Sequence, residues 1–325
     1  VPFEEASFPL RIKWTFEGLA RLLTVPGTRL PYGPGDWYWI PSRAIPGEPI
    51  TEFPAFTFLY ADLHAHLIAL PITILALSWA LAVLLGRWKW TGKLHAAACF
   101  LLGGLAIGAL RPTNTWDWPS YLAAGCAAVF YTALRYAQPR FLPSLGFLRP
   151  AAKKLLTALA GVLALVILSA LLYQPYSDWY GAGYNQIDLW KGAHTPFWSY
   201  MTHWGVFLFV IVSWLVWETI DWMACTPVSK LNLLRPRRSA ILAAALMLAA
   251  FSAALWILGV EIGWLVVLLG TWCAVLMLRP GQPDAKRAVF FMIGAALALT
   301  LFVELAVLRG DIGRMNTVFK FYLQA

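Results

Sequence analysis

Long apolar runs without charged residues recur along this chain, beginning near Leu67 and ending near Leu308. About 20 such residues are what an α-helix needs to cross the hydrocarbon core of a bilayer. Hydrophobic residues make up 60% of the 325 positions and charged residues only 13%, which is more apolar surface than one soluble core can bury. The sequence therefore predicts an all-α protein, built as a polytopic bundle of transmembrane helices.

We predict about eight membrane spans, preceded by an irregular, proline-rich external segment. The spans are Leu67–Leu85, Leu94–Leu110, Pro119–Tyr136, Leu155–Tyr173, Trp204–Ile220, Ala240–Val260, Ile262–Leu278 and Ala288–Leu308. Three of them are short, so two could be tilted, re-entrant or incomplete. The chain then divides into an external segment at 1–66, a transmembrane bundle at 67–308 and a cationic external segment at 309–325, which we expect to continue in a longer protein.

Lysine and arginine concentrate in every second loop, at 86–93, 137–154, 221–239 and 279–287. Short loops with this excess lie on the cytoplasmic side of a membrane. We therefore predict a multi-pass protein of the cell membrane, with its N-terminal segment and the remaining loops extracytoplasmic and membrane lipid as a partner. The net charge of +9 does not indicate nucleic-acid binding, because the cations are not interleaved with aromatic residues in one patch.

The segment from Glu52 to His66 ends where the first span begins, and it carries the possible metal ligands Asp62, His64 and His66. An extended backbone would direct all three to one side, where they could hold a divalent ion, whereas a helix would keep only Asp62 and His66 on one face. We favour the helix. Asp62 is the leading catalytic candidate because a carboxylate entering a bilayer is costly unless it is used. The histidines are equally typical of side chains that meet headgroups and water.

The short loop from Arg111 to Tyr121 contains Asn114, Trp116 and Asp117. Asp117 could pair with Arg111 and cap a following helix that begins at Pro119. Asn114 beside tryptophans suits stacking on a sugar or holding a headgroup, although tryptophan at an interface is also the ordinary aromatic belt.

The last motif places Arg309, Arg314 and Lys320 on the side that the other short loops keep nearly free of cations. Topology does not account for them, whereas a bound phosphate or pyrophosphate would. The alternative is a salt-bridged turn that includes Asp311, with Glu304 as a further carboxylate inside the span.

These motifs carry a resemblance to a known family. At Trp39–Arg43, Glu52–His66, Asn114–Asp117 and Arg314–Lys320, the chain resembles the "YYY" family of functionally uncharacterised prokaryotic membrane proteins, although it lacks the Tyr-Tyr-Tyr-x-Gly motif that normally lies upstream. That family is in turn remotely similar to the GT-C glycosyltransferases, which take a sugar from a lipid-phosphate donor. The resemblance points to Glu52, Asp62, His64, His66, Asn114, Asp117, Arg314, Asn316 and Lys320.

The resemblance implies a membrane glycosyltransferase of GT-C type whose extracytoplasmic site binds a polyprenyl-phosphate sugar. Asp62 would be the general base, with Glu52 and Asp117 as further catalytic candidates. Substrate would be bound by Arg43, Asn114, Trp116, Arg314, Asn316 and Lys320. A divalent ion on Asp62 with His64 or His66 is optional. The rival hypothesis is a transporter or lipid-binding scaffold, which ranks second because the spans hold almost no ionisable groups near the midplane.

Overall fold

The structure is a computed structural model that describes residues 6–29, 33, 35–47, 49–61, 63–89, 92–137, 149–181 and 186–325. The first part of the chain forms α1 (Phe8–Thr24), α2 (Asp36–Trp39), a 3₁₀ turn (Ile40–Arg43), α3 (Pro54–Tyr60), α4 (Ala65–Leu85), α5 (Lys93–Gly108), α6 (Leu110–Thr113), α7 (Asp117–Tyr136), α8 (Pro150–Leu171) and α9 (Gln174–Trp179). Then come strand β1 (Ile187–Leu189), α10 (Phe197–Ala224), a 3₁₀ segment (Val228–Arg237), α11 (Arg238–Ile257), α12 (Gly263–Leu278), α13 (Asp284–Leu305), strand β2 (Ala306–Leu308) and α14 (Met315–Gln324).

The predicted class, an all-α membrane bundle, is confirmed. A helix occupies each of the eight predicted span positions. Among the described residues, six helices are long and apolar enough to cross a membrane: Ala65–Leu85, Lys93–Thr113, Pro150–Leu171, Phe197–Ala224, Val228–Ile257 and Asp284–Leu305. Of the other two, α12 is apolar but only 16 residues long, in keeping with the expected short span.

The helices surround two apolar cores. One lies among α4, α5, α7 and α8 and includes Trp79, Ile107, Val129 and Leu165. The other lies among α10 to α14 and includes Leu215, Leu269, Phe290 and Val318. In the first core α5 approaches α8 very closely, since a Cβ atom at Gly104 would lie 2.7 Å from that of Leu168. Small residues permit such contacts between membrane helices.

The N-terminal segment is more regular than we predicted. Residues Phe8 to Thr24 form the α-helix α1. The helix rests against α10, because the buried guanidinium of Arg11 lies 4.0 Å from the centroid of the Trp198 ring. Arg11 therefore contacts the bundle, whereas the exposed Lys13 and Glu17 pair with each other.

A two-stranded antiparallel sheet joins the loop before α10 to the end of α13. Ile187 pairs with Leu308 and Leu189 with Ala306, and the exposed Arg309 extends the contact through two hydrogen bonds of 2.8 and 2.9 Å to Asp188. The chain leaves this sheet through Gly310 to Gly313 and enters α14, which lies across the end of the bundle where α4 and α7 begin. We call this the motif end.

Candidate functional site

The loop before α14 is shaped by glycine and by one carboxylate. Gly310, Gly313 and Arg314 all have positive φ angles, the last of +54°, so the chain turns sharply before the helix begins. The Asp311 carboxylate accepts hydrogen bonds from the backbone N–H groups of Asn316 (3.1 Å) and Thr317 (2.7 Å), which have no partner within the helix. Asp311 therefore caps α14.

The far end of α14 contacts the start of α7. Gln324 donates 2.8 Å to the Asp117 carboxylate and 3.2 Å to the carbonyl of Trp116, and the side chain of Asn114 also hydrogen-bonds to Asp117. Asp117 is only 5% exposed. This polar cluster joins predicted site residues at the start of α7 to Gln324, which lies 207 positions after Asp117 in the sequence.

Lys320 of α14 is influenced electrostatically by the two acidic groups of the motif end, Asp117 and Asp311. Burial lowers the pKa of its ammonium group, and the carboxylates of Asp117 and Asp311 oppose that shift. Asn316, another predicted site residue, donates from its side-chain amide to Asp311 over 3.1 Å. Lys320 is therefore a half-buried cation whose charged form is favoured by two hydrogen-bonded carboxylates.

The start of α4 completes this region. The His66 ring lies edge-on to Phe319 of α14, with 4.6 Å between centroids, and its Nε2 is 2.9 Å from the Thr57 hydroxyl. The ring of His64 lies 5.6 Å from that of His66. The backbone is not one continuous helix here, because Ala61 is left-handed and His64 is extended. The expected helix through this motif is therefore interrupted.

Asp62 lies outside the described residues, so its predicted roles as general base and metal ligand stay predictions. Within the part of the chain that the structure describes, no three His, Cys, Asp or Glu residues are grouped so that they could hold a metal ion. Among the described residues, His64 and His66 are therefore two neighbouring candidate metal ligands without a third ligand beside them.

Glu52 and Arg43 form a separate pair, with 3.3 Å between the guanidinium and the carboxylate. The Arg43 guanidinium also lies 4.5 Å from the centroid of the Trp39 ring. Glu52 is one of the residues that line an apolar cavity of about 330 Å³ between α10 and α13, together with Tyr200, Trp204 and Tyr322. The sequence motifs are therefore divided between two neighbouring places.

Arg314 faces the protein interior and not an open pocket. Its guanidinium lies 2.7 Å from the Glu304 carboxylate and donates to the Val303 carbonyl and the Thr195 hydroxyl. It is 1% exposed and Glu304 is fully buried. The arginine already has its counter-ion, so its contacts do not favour the phosphate contact that we predicted from sequence.

Two further expectations need correction. The carboxylate of Asp117 contacts Gln324, while Arg111 lies over the Trp118 ring at 5.3 Å, and α7 begins at Asp117 and not at Pro119. Arg309 pairs with Asp188 rather than with Asp311. In both cases a residue distant in sequence supplies the partner, which local spacing does not reveal.

Sequence reasoning missed Gln324 and Thr195, which hold Asp117 and Glu304 in place. The signal for Gln324 was available, because Asn316, Lys320 and Gln324 recur every four residues and so follow one another along a helix face. Thr195 donates 2.5 Å to Glu304 through its hydroxyl and 2.8 Å through its backbone N–H. Nothing in its sequence context distinguishes it from other loop threonines.

The fold and this cluster together define a polytopic helical membrane protein with a polar site at one end of its bundle. Residues 5–325 match the model of a family described as "Uncharacterized membrane protein (DUF2298)", and the chain belongs to that family. Neither the curated proteins nor the solved structures provide a match. The resemblance to a family of uncharacterised membrane proteins is thus confirmed, whereas the similarity to GT-C glycosyltransferases stays a prediction.

Proposed function

We propose that this protein is a membrane glycosyltransferase of GT-C type, which uses a sugar linked to a lipid phosphate and works at the motif end of the bundle. The observation that supports this best is the hydrogen bond from Gln324 to Asp117, which holds the carboxylate against α14, the helix that carries Lys320. A carboxylate and a cation are what glycosyl transfer from a phosphate requires. Two helices far apart in sequence bring them together where the bundle meets the aqueous phase.

The proposed reaction joins the acceptor to the anomeric carbon of the sugar. The acceptor hydroxyl oxygen forms the new bond, the bond between the anomeric carbon and the phosphate oxygen breaks, and the lipid phosphate leaves with the electron pair. The proton of the hydroxyl passes to a carboxylate. Asp117 is the proposed proton acceptor among the described carboxylates, and Asp62, two residues before His64, is the second candidate.

Lys320 is the proposed contact for the phosphate. Its ammonium group is a point charge on a flexible chain and can follow the phosphate as negative charge develops on the leaving oxygen. Asn114 and Trp116 would contact the sugar, since an amide and an indole ring match hydroxyl groups and the apolar face of a pyranose. Arg314 has no direct part in this site, because it is committed to Glu304.

The test is donor binding and turnover with the full chain in proteoliposomes. Wild-type protein and the variants Lys320→Gln, Asp117→Asn and Asp62→Asn receive a radiolabelled polyprenyl-phosphate sugar, and lipid phosphate release is measured. Lys320→Gln should weaken donor binding by about tenfold or more, the value of a hydrogen bond to a charged group. Asp117→Asn or Asp62→Asn should abolish release while the protein still accumulates in the membrane.

The matched control is Asp188→Asn, which removes an exposed carboxylate paired with Arg309 and should leave binding and release unchanged. Full release by both Asp117→Asn and Asp62→Asn would remove the proposed base. Equal donor affinity of Lys320→Gln and wild type would remove the proposed phosphate contact.

A second candidate function is a lipid-binding scaffold without catalysis. The apolar cavity beside Glu52 favours it, together with the internal pairing of Arg43 with Glu52 and of Arg314 with Glu304. Such a protein would bind the lipid-linked sugar or a plain phospholipid equally well. It would release no lipid phosphate under any condition of the assay.

A further inference from the structure

A second apolar cavity, of about 240 Å³, lies at the opposite end of the bundle, between its two cores. It is lined by Leu77, Ala80, Leu81 and Leu84 of α4, by Ala124, Ala127, Ala128 and Tyr131 of α7, by Met277 and Leu278 of α12, and by Arg287, Ala288, Phe291 and Met292 of α13. It is larger than the roughly 150 Å³ cavity that holds a benzene molecule in a protein core. Its walls are membrane helices. The acyl chain of a membrane lipid is therefore the apolar group available to fill it.

One end of this cavity is polar, and Tyr131 forms the link. The ring of Tyr131 lines the cavity, while its hydroxyl donates 2.7 Å to the Asp284 carboxylate. The hydroxyl of Tyr136 donates to the other oxygen of the same carboxylate. The apolar space therefore ends beside an ordered carboxylate at the start of α13.

Two arginines flank Asp284, and their combined positive charge is larger than the negative charge of its carboxylate. Arg135 lies 3.3 Å and Arg87 lies 3.7 Å from the carboxylate. Both also lie over the Tyr136 ring, at 5.5 and 5.8 Å, and their side chains are 44% and 56% exposed. Two cations against one anion leave a net positive charge on partly exposed side chains, and Tyr131 connects this cluster to the cavity.

The backbone conformation of Arg87 and the contacts of Arg287 support the assignment of this charge to Arg87 and Arg135. Arg87 has a φ angle of +51°, a conformation that costs free energy for a residue with a side chain and recurs at functional positions. Arg287 also lines the cavity, but its guanidinium is committed to the carbonyls of Met277, Arg279 and Gln282. The outward charge thus belongs to Arg87 and Arg135.

We propose that an anionic phospholipid binds here, with one acyl chain in the cavity and its phosphate at Arg87 and Arg135. The chain would fill the space between the two cores, and the headgroup would neutralise the cation that Asp284 leaves unbalanced. A soluble anion would leave the cavity unfilled, and a zwitterionic lipid would bring its own cation to the arginines. The site is independent of the glycosyltransferase proposal, since it lies at the other end of the bundle.

The experiment compares two lipids with identical chains on the purified full chain in detergent. Dioleoyl phosphatidylglycerol and dioleoyl phosphatidylcholine are titrated, and binding is followed by native mass spectrometry and by the unfolding temperature. Phosphatidylglycerol should bind more tightly to wild type and raise the unfolding temperature further. Arg87→Gln and Arg135→Gln should each weaken that preference, by about fivefold for each lost cation near a lipid surface.

A second variant tests the cavity without changing any charge. Ala124→Leu should fill part of the space and weaken the binding of both lipids. Arg309→Gln, an exposed and paired arginine at the motif end, is the matched control and should leave the preference intact. Inorganic phosphate should produce no rise in the unfolding temperature.

Equal binding of the two lipids to wild type would overturn the proposal. So would an undiminished preference in the Arg87→Gln, Arg135→Gln double variant, or a response to inorganic phosphate equal to that of the lipid. If the double variant does not fold, the wild-type comparison and Ala124→Leu still decide the matter.

Discussion

The guanidinium of Arg314 lies 2.7 Å from the carboxylate of Glu304, and neither side chain is exposed to solvent. Thr195 and His194 surround the same carboxylate, with His194 Nδ1 at 3.4 Å. The pair joins the end of α13 to the start of α14. A residue that the sequence suggested as a ligand contact thus contributes to the position of the helix that carries Lys320.

We expect Glu304→Gln to destabilise the protein strongly. Removing one partner of a buried ion pair leaves the other charge uncompensated, at a cost of about 3–5 kcal/mol. Unfolding in detergent micelles would measure the loss. Asp188→Asn, which breaks the exposed pair with Arg309, should cost far less because water and salt screen that pair. A similar loss of unfolding free energy in the two variants would contradict a stabilising role for the buried pair of Glu304 and Arg314.

The double variant Glu304→Met, Arg314→Met should be more stable than Glu304→Gln alone. Apolar residues of similar volume often replace a buried ion pair without loss, because both desolvation penalties disappear together. The same unfolding assay applies. A double variant that is no more stable than Glu304→Gln would show that the pair contributes more than charge compensation.

Asp311→Ala should loosen the first turn of α14. The two backbone N–H groups at Asn316 and Thr317 would lose their acceptor, which costs about 1 kcal/mol for a helix cap. Hydrogen exchange over 315–324 should become faster, while exchange in α12 should not change. Asp311→Asn, which keeps one acceptor oxygen, should show a smaller effect. Unchanged exchange in Asp311→Ala would refute the capping role.

Lys320 should lose its proton at a lower pH than an ordinary lysine side chain. Burial lowers the pKa of Lys320, so the fraction of reactive, neutral amine is larger at any pH below its ordinary pKa. The pH dependence of amine labelling, read residue by residue by mass spectrometry, would measure this. Asp117→Asn should lower the pKa further, because the carboxylate favours the charged ammonium. A midpoint at or above the ordinary value for lysine would contradict the burial argument.

Positions at the two ends of the bundle should react from opposite sides of the membrane. Cysteines would be placed at the exposed positions Lys89 and Gly181 in a background in which the exposed Cys225 is replaced by serine. An impermeant maleimide on intact cells should label Gly181→Cys, and Lys89→Cys should react only after the inner face is opened. Labelling of both from one side would refute the orientation predicted from lysine and arginine.

The sequence predicted where the helices lie but not always where they begin and end. Apolar runs mark the eight helices at the predicted span positions, because crossing a bilayer requires an apolar helix of about 20 residues. α10 begins at Phe197, seven residues before the predicted start at Trp204. The start was predicted too late because Ser199, Thr202 and His203 interrupt the apolar run. Of these, Ser199 and His203 are buried, and Phe53 stacks on His203 at 4.2 Å. The last span ends early because residues 306–308 pair with 187–189.

The candidate site was predictable residue by residue but not as an arrangement. Asn114, Asp117 and Lys320 were chosen from their chemistry and Asn316 from the family resemblance, and all four lie at the motif end. The contact between Asp117 and Gln324 spans 207 positions, so no local pattern indicates it. Arg314 was predicted to bind a phosphate because its partner Glu304 lies inside a span. The sequence does not show towards which neighbour a carboxylate in a span is directed.

Helix α14 is fastened at both ends to different parts of the bundle, by Arg314 to the end of α13 and by Gln324 to the start of α7. A ten-residue helix is about 15 Å long and nearly inextensible, so it acts as a strut of fixed length. Any rocking of one core against the other must then pivot about its ends or break one of these contacts. The spacing between Asp117 and Lys320 would therefore report that motion directly, and a pair of labels at α7 and α14 could follow it while a substrate enters and leaves.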